Sequence, residues 1–136
     1  MSEATQGNVP IQSENDIIAA RRAVRDLAAR LSFGITDVTR IVTASSELAR
    51  NIFLYAGAGV MWWSISDRNG AVGLELTFED HGPGIPDVEL AMKPGYGTSR
   101  GLGFGLPGTK RLMDEMEVRT EVGKGTTVTV RKWLRK

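Results

Sequence analysis

Apolar residues in the first third of the chain recur at helical intervals. Between residues 14 and 31 they fall at Ile17, Ala20, Val24, Leu27, Ala28 and Leu31, the three-and-four spacing of one helix face. Ser13 stands three residues before Asp16, in the manner of a capping box, and Gly34 is placed to end this helix. A second helix is predicted from Thr36 or Asp37 to about Tyr55. Its apolar stripe is Val38, Ile41, Val42, Ser45, Leu48, Ala49, Ile52 and Phe53, and Glu47 and Asn51, four apart, stack just off it. After Gly57 the pattern changes to that of strands. Residues 60–66 and 71–79 flank Asp67-Arg68-Asn69-Gly70, and Asn-Gly predicts a hairpin turn. Residues 117–122 and 126–133 form a second pair around Gly123-Lys124-Gly125. A short strand is expected at 9–12, behind a disordered leader of residues 1–8. Residues 80–105 are rich in Gly and Pro, with room for one short helix at 87–92. So long a loop in a small domain is usually a lid or a binding loop. A third helix is predicted from Leu106, with Pro107 in its first turn, running through Lys110, Leu112, Met113 and Met116.

These elements make one domain, residues 9–136, of the α+β class. The expected architecture is a two-layer α/β sandwich with a mostly antiparallel mixed sheet and helices on one face. With 136 residues, 41% hydrophobic and 24% charged, the chain has the size and composition of an ordinary globular domain. The net charge of +1 gives no global field for nucleic acid or an anionic membrane. There is no cysteine and one histidine, which excludes thiolate and multi-histidine metal sites. No apolar run is long enough to span a bilayer. The polar start lacks a signal-peptide core, so a cytoplasmic location is expected.

The candidate chemistry lies in four short pieces. Asp80 ends a strand and opens Asp80-His81-Gly82-Pro83-Gly84. A carboxylate only accepts hydrogen bonds, so Asp80 suits the exocyclic amine of adenine and opposes the carbonyl of guanine. Gly82 and Gly84 would let backbone approach a flat base; the same residues also suit a surface turn. In the second piece Gly101, Gly103 and Gly105 alternate with Leu102, Phe104 and Leu106, offering free N–H groups to phosphate before a helix. It is no Walker A loop, because no Gly-Lys-Ser/Thr follows. Arg100, at its start, would reach terminal phosphates on closure or serve as a surface arginine. In the third, Asn51 offers a neutral oxygen suited to Mg²⁺, and Glu47 would hold a hydroxyl in line with the γ-phosphate. A solvated Glu and a capping Asn are the plain alternative. The fourth holds Thr126, which would bond on the adenine side or simply suit a strand. His81 reads as a turn residue.

Together and in this order, Glu47–Asn51, Asp80–Gly84, Gly101–Gly108 and Gly123–Thr127 resemble the N, G1, G2 and G3 boxes of the GHKL superfamily, whose Bergerat fold binds ATP. The resemblance runs from about residue 10 to 134. It implies ATP with Mg²⁺ at Asn51, Glu47 as the catalytic residue, and nucleotide contacts from Asp80, Gly82, Gly84, Arg100, Gly101, Gly103, Phe104, Gly105, Leu106 and Thr126. No dimerisation helix pair with a phospho-accepting histidine is expected, nor a second domain supplying a lysine to ATP. The stand-alone serine/threonine kinase branch, related to anti-sigma factors, remains. Within it, residues 46–57, 80–87 and 110–115 look most like the stressosome switch kinases. His81 departs from the small polar or acidic residue expected there. The branch implies phosphorylation of a STAS-domain scaffold or antagonist and, on release, activation of a PP2C-type phosphatase or another signalling output. The alternative is a non-catalytic ATP-binding anti-sigma factor or adaptor.

Trp62 and Trp63 are adjacent on a strand and so face opposite ways. One enters the core; the other, joined by Trp133, would form an aromatic patch on the bare sheet face or be buried by the terminal segments. Residues 131–136 read as solvated charge.

Overall fold

The computed structural model describes residues 4–93 and 105–134. In chain order they form β1 (Gln6–Ile11), α1 (Glu14–Arg30), α2 (Ile35–Asn51), β2 (Gly59–Arg68), β3 (Ala71–Asp80), α3 (Val88–Ala91), α4 (Leu106–Leu112), β4 (Glu115–Glu121) and β5 (Gly125–Trp133). The strands make one sheet in the order β1-β2-β3-β5-β4. All four pairings are antiparallel, so the expected parallel component is absent among the described residues. β1 starts at Gln6, which pairs with Ser64, three residues earlier than expected. Residues 6–8 therefore belong to the sheet and not to a disordered leader. Gly7 has the reason: a Cβ there would lie 2.7 Å from the Trp63 ring, so glycine lets this strand lie flat beside the indole.

The helix ends follow side-chain chemistry. Ser13 Oγ accepts from the Asp16 N–H at 3.3 Å, and Asp16 Oδ2 accepts from the Gln12 N–H at 2.8 Å. Gly34 does not end α1. Ser32 does, in the left-handed conformation at φ 69, with its N–H on the Ala29 carbonyl and the Phe33 N–H on the Ala28 carbonyl. That is a Schellman closure, and the buried Phe33 supplies its apolar contact. Gly34 caps α2 instead. The hairpin turn is as expected, with Asn69 at φ 55 and Gly70 at φ 85, the signs of a type I′ turn. α4 stops at Leu112, short of Met113 and Met116, because Met113 turns extended and Met116 already pairs with Val130 in β4.

Alternation along the strands decides the core. Met61, Leu74, Leu76, Phe78, Val128 and Val130 point inward and are buried with Ile17, Val24, Leu27, Ile41 and Leu48 of the helices. Fully burying such a side chain contributes about 1.5–3 kcal/mol. One buried hydroxyl departs from this order: Thr109 Oγ1 on α4, in a residue only 1% exposed, has no hydrogen-bond partner among the described residues. An unpaired buried polar group costs about 1–3 kcal/mol. Thr109→Val keeps the shape and removes that group, so its urea midpoint should rise; a lower midpoint would mean that the hydroxyl is satisfied in solution.

The outer sheet face is charged more than aromatic. Trp62 is 46% exposed there, while Trp63 faces inward against the core with Arg30 5.9 Å from its ring centre. Trp133 pairs with Gly73, and Trp62 with Thr77, four residues further along β3, so the two indoles do not form one patch. Between them Arg131 binds Glu75 at 2.7 Å, Glu115 at 3.3 Å and Glu117 at 3.4 Å. Nor is the terminal strand merely solvated: Lys132 is 4% exposed. The Trp133 indole N–H donates to Glu115 Oε2 at 2.6 Å. That bond, with Arg68 and Arg131 nearby, holds the Glu115 carboxyl below its ordinary value against the opposing effect of burial. Because folding lowers this pKa, its stabilisation is present above the unfolded value and is lost as pH falls through the folded one. In Trp133→Phe the Glu115 carboxyl should titrate higher by NMR, and acid unfolding should begin at a higher pH.

Candidate functional site

A cleft of about 440 Å³, open to solvent, lies between the end of α2, the end of β3, the 83–85 loop, the start of α4 and the first half of β5. It is lined by Leu48, Asn51, Ile52, Tyr55, Phe78, Asp80, Pro83, Gly84, Ile85, Leu106, Thr126 and Val128. Its mostly apolar wall with a few polar groups suits a small organic ligand.

Asp80 ends β3, and its carboxylate is fixed by backbone. Oδ1 accepts from the Gly82 N–H at 2.9 Å and from the Thr126 N–H at 3.2 Å. Both donors are used on one oxygen, so Oδ2 keeps its acceptor capacity. The 82–85 loop is tied to the β4–β5 hairpin by two further bonds, one at its turn and one in β4. The Gly123 N–H donates to the Pro83 carbonyl at 2.9 Å, and the Ile85 N–H to Thr120 Oγ1 at 2.8 Å. Thr120 in turn donates to the Gly125 carbonyl at 3.1 Å and stands 3.0 Å from Thr126 Oγ1. Sequence reading missed Thr120. Its one signal was a hydroxyl at an inward position of β4, opposite Thr126.

The two glycines of this loop answer to the protein itself. A Cβ on Gly82 would lie 2.6 Å from the Ala56 Cβ, and one on Gly84, at φ +80, 2.6 Å from the Glu121 carbonyl oxygen. At Gly84 the left-handed backbone would by itself cost a side chain about 1–3 kcal/mol.

The other end of the cleft belongs to α2. Its α-helical part ends at Asn51 and continues as a wider π-type turn, Ile52–Ala56, closed by Gly57 at φ 83. Tyr55 expected within a regular helix therefore sits in that turn. Such turns displace side chains from the regular spiral and recur at functional sites. Here it brings Asn51, Ile52 and Tyr55 to one wall. Glu47 is one turn earlier, beside the cleft and not in its wall. Its Oε2 lies 3.1 Å from where a Cβ on Gly105 would sit, so a side chain at Gly105 would press on the carboxylate. Gly105, at φ 67, is the N-cap of α4. Glu47 Oε1 also meets Arg50 at 3.2 Å, with both side chains more than 40% exposed. An exposed pair of this kind contributes at most about 1 kcal/mol and leaves Glu47 able to turn.

The structure thus brings Asn51, Asp80, Gly84, Leu106 and Thr126 into one cleft wall, with Gly82 behind Asp80 and Gly105 against Glu47. Arg100, Gly101, Gly103 and Phe104 lie outside the described residues. His81 is exposed. Chemically, the arrangement is an apolar slot with a fixed acceptor at one end and an amide and a carboxylate at the other. A flat heterocycle with an exocyclic amine fits the first end, and a polar extension of it the second.

The histidine kinase-, DNA gyrase B-, and HSP90-like ATPase family matches residues 36–136. The chain belongs to this family. It is 52% identical to the serine/threonine-protein kinase RsbT of Bacillus subtilis, over 96% of this chain and 98% of that protein. It is 35% identical to the anti-sigma F factor of Geobacillus kaustophilus, over 92% and 88%. Among solved structures, the RsbU and RsbW domains of Rv1364c from Mycobacterium tuberculosis superpose with a TM-score of 0.68, covering 98% of this chain and 34% of that one. The catalytic domain of the histidine kinase ThkA gives 0.53, over 93% and 95%. At 17% identity each, these two show the fold alone, and it is that of the GHKL ATPases.

Gly84→Ala should lower unfolding free energy by about 1–3 kcal/mol through its positive φ, measured by denaturant titration. An unchanged midpoint would show that the loop moves off Glu121 without cost.

Proposed function

We propose that the chain is a serine/threonine-protein kinase that takes ATP in this cleft and phosphorylates a partner protein in a partner-switching signalling pathway. The fixed Asp80 carboxylate is the observation that carries the ATP reading. Oδ1 is committed to two backbone donors, which hold Oδ2 ready for the adenine amine without any reordering on binding. A guanine carbonyl would face an acceptor, and that mismatch costs about 1–3 kcal/mol. Leu48, Ile52, Phe78, Ile85 and Val128 give the apolar faces that a purine needs. The kinship with RsbT supports the kinase assignment.

The phosphates extend toward Asn51 and the start of α4, with Gly101, Gly103, Gly105 and Arg100 as their further contacts. The donor set there fits Mg²⁺: Asn51 supplies one neutral oxygen, and this ion takes its other ligands from water and phosphate. Bound there, it would offset phosphate charge. Glu47 orients the substrate hydroxyl. Because the transition state of phosphoryl transfer is loose, positioning outweighs early proton removal, and an ordinary carboxylate suffices.

The substrate is a serine or threonine on a STAS-domain scaffold or antagonist, and the released kinase acts on a PP2C-type phosphatase or another output. Such traffic belongs in the cytoplasm, and no helix among the described residues is long and apolar enough to cross a membrane. The anti-sigma F factor at 35% identity favours a second reading, in which ATP only sets the shape of a binding module.

Glu47→Ala separates the two. On the first reading, transfer from Mg-ATP to a STAS partner, followed by mass spectrometry, falls about 10²–10⁴-fold, while calorimetry shows ATP still bound. On the second, no phosphoprotein forms with either chain. Wild-type transfer by the variant would remove Glu47 from the mechanism.

A further inference from the structure

Lys132 is a buried cation that the nucleotide site does not use. It lies on the inner face of β5, two residues beyond Val130, and is 4% exposed. A buried ammonium is costly unless paired and hydrogen-bonded, and this one is both. Its Nζ donates to the Leu112 carbonyl at 2.9 Å and stands 3.6 Å from Asp37 Oδ1 and 3.6 Å from Asp114 Oδ1. Leu112 is the last residue of α4, so the acceptor is one of the carbonyls that a helix end leaves unpaired. Asp37 lies in the first turn of α2, where it also meets Arg40 at 3.1 Å. Asp114 is held by the Trp133 N–H on Oδ2 at 2.8 Å. One cation therefore joins the end of α4, the start of α2 and the sheet.

The same two helices meet again at their other ends, where Gly105 lies against the Glu47 carboxylate. Asp37 to Glu47 spans about 15 Å of helix, and Gly105 to Leu112 about 10 Å, at 1.5 Å per residue. The helices thus run antiparallel, and contacts at both ends fix how far one slides along the other. Leu106, next to Gly105, is in the cleft wall.

We propose that Lys132 is a positioning residue for the phosphate end of the cleft: by holding the end of α4 to the start of α2, it sets where Gly105 and Leu106 stand relative to Glu47 and Asn51. This rests on the reading above, that the phosphates lie at that end. It makes a division within the ligand. Adenosine is held by Asp80, on the far side of the cleft from this register, whereas the triphosphate depends on it.

The test is calorimetric, with adenosine and Mg-ATP as the two ligands and the full chain as the protein. In the parent chain ATP should bind more tightly than adenosine. Equal affinities there would remove the reading of the phosphate end, and this inference with it. Lys132→Met keeps an unbranched side chain of similar length without the charge. It should weaken ATP about tenfold and leave adenosine within a factor of two, so that the ratio collapses. An unchanged ratio, or an equal loss for both ligands, overturns the proposal and leaves the reading of the parent site intact. If thermal melting shows that Lys132→Met does not fold, Asp37→Asn removes one partner only. It should lower the same ratio about threefold, and an unaltered ratio in that variant overturns the proposal.

Discussion

One carboxylate oxygen holds the base of the cleft together. Asp80 Oδ1 receives N–H groups from Gly82 and from Thr126, which belong to two segments 44 residues apart in sequence. Hydrogen bonds to an ionised acceptor are about twice as strong as neutral ones, and two of them on one atom leave it little freedom. Substitution here would therefore disturb loop, strand and ligand contact together. The remaining bonds of the region repeat the same connection: Gly123 to Pro83, Ile85 to Thr120, Thr120 to Gly125. A loop rich in glycine and proline would otherwise be loosely placed. Here it inherits the rigidity of the β3–β5 pairing.

This clarifies what the glycines contribute. Their spacing suggested close approach of backbone to a base. The constraint seen in the structure is the close approach of backbone to backbone and to Ala56, at Gly82 and Gly84. The two are compatible, because the packing that excludes a Cβ also brings the loop into the cleft wall. A glycine pattern read from sequence thus reports a tight place correctly and leaves open what presses on it.

Elements with strong local signals were legible. The stripes of α1 and α2, the Asn-Gly turn and the helix start at Ser13 all follow from patterns contained within a few residues. The misplaced boundaries depended on distant partners. Residues 6–8 carry no strand signal of their own and become strand because β2 offers an edge and Trp63 a surface. α4 ends before Met113 because β4 and β5 claim the following residues, although Leu112, Met113 and Met116 fit a helical spacing. The site divides in the same way. Asp80, Asn51 and Thr126 were legible as members of one family pattern. Thr120 was not, since a threonine in a strand is ordinary until its neighbour across the sheet is known.

Charge was the hardest property to place. Arg131 and Lys132 are neighbours in a run that reads as a soluble tail, yet strand alternation sends them to opposite faces. Arg131 goes to the outer face, where three glutamates meet it; Lys132 goes inward, opposite Leu74 and next to Val130 on the same face. Burial of Lys132 is tolerable only because Leu112 ends a helix beside it and two aspartates stand within 3.6 Å. None of these partners is near it in sequence. An apolar residue would fill that space with less desolvation, so the ammonium contributes something other than burial. What it supplies is direction: oxygens from the end of α4, from the link that follows it and from the start of α2 must converge on one nitrogen, and only one placement of α4 along α2 allows that. A core of leucines and valines sets distances between layers well, but tolerates sliding. A buried charge with fixed partners does not, and here it lies at the foot of the helix whose other end touches Glu47.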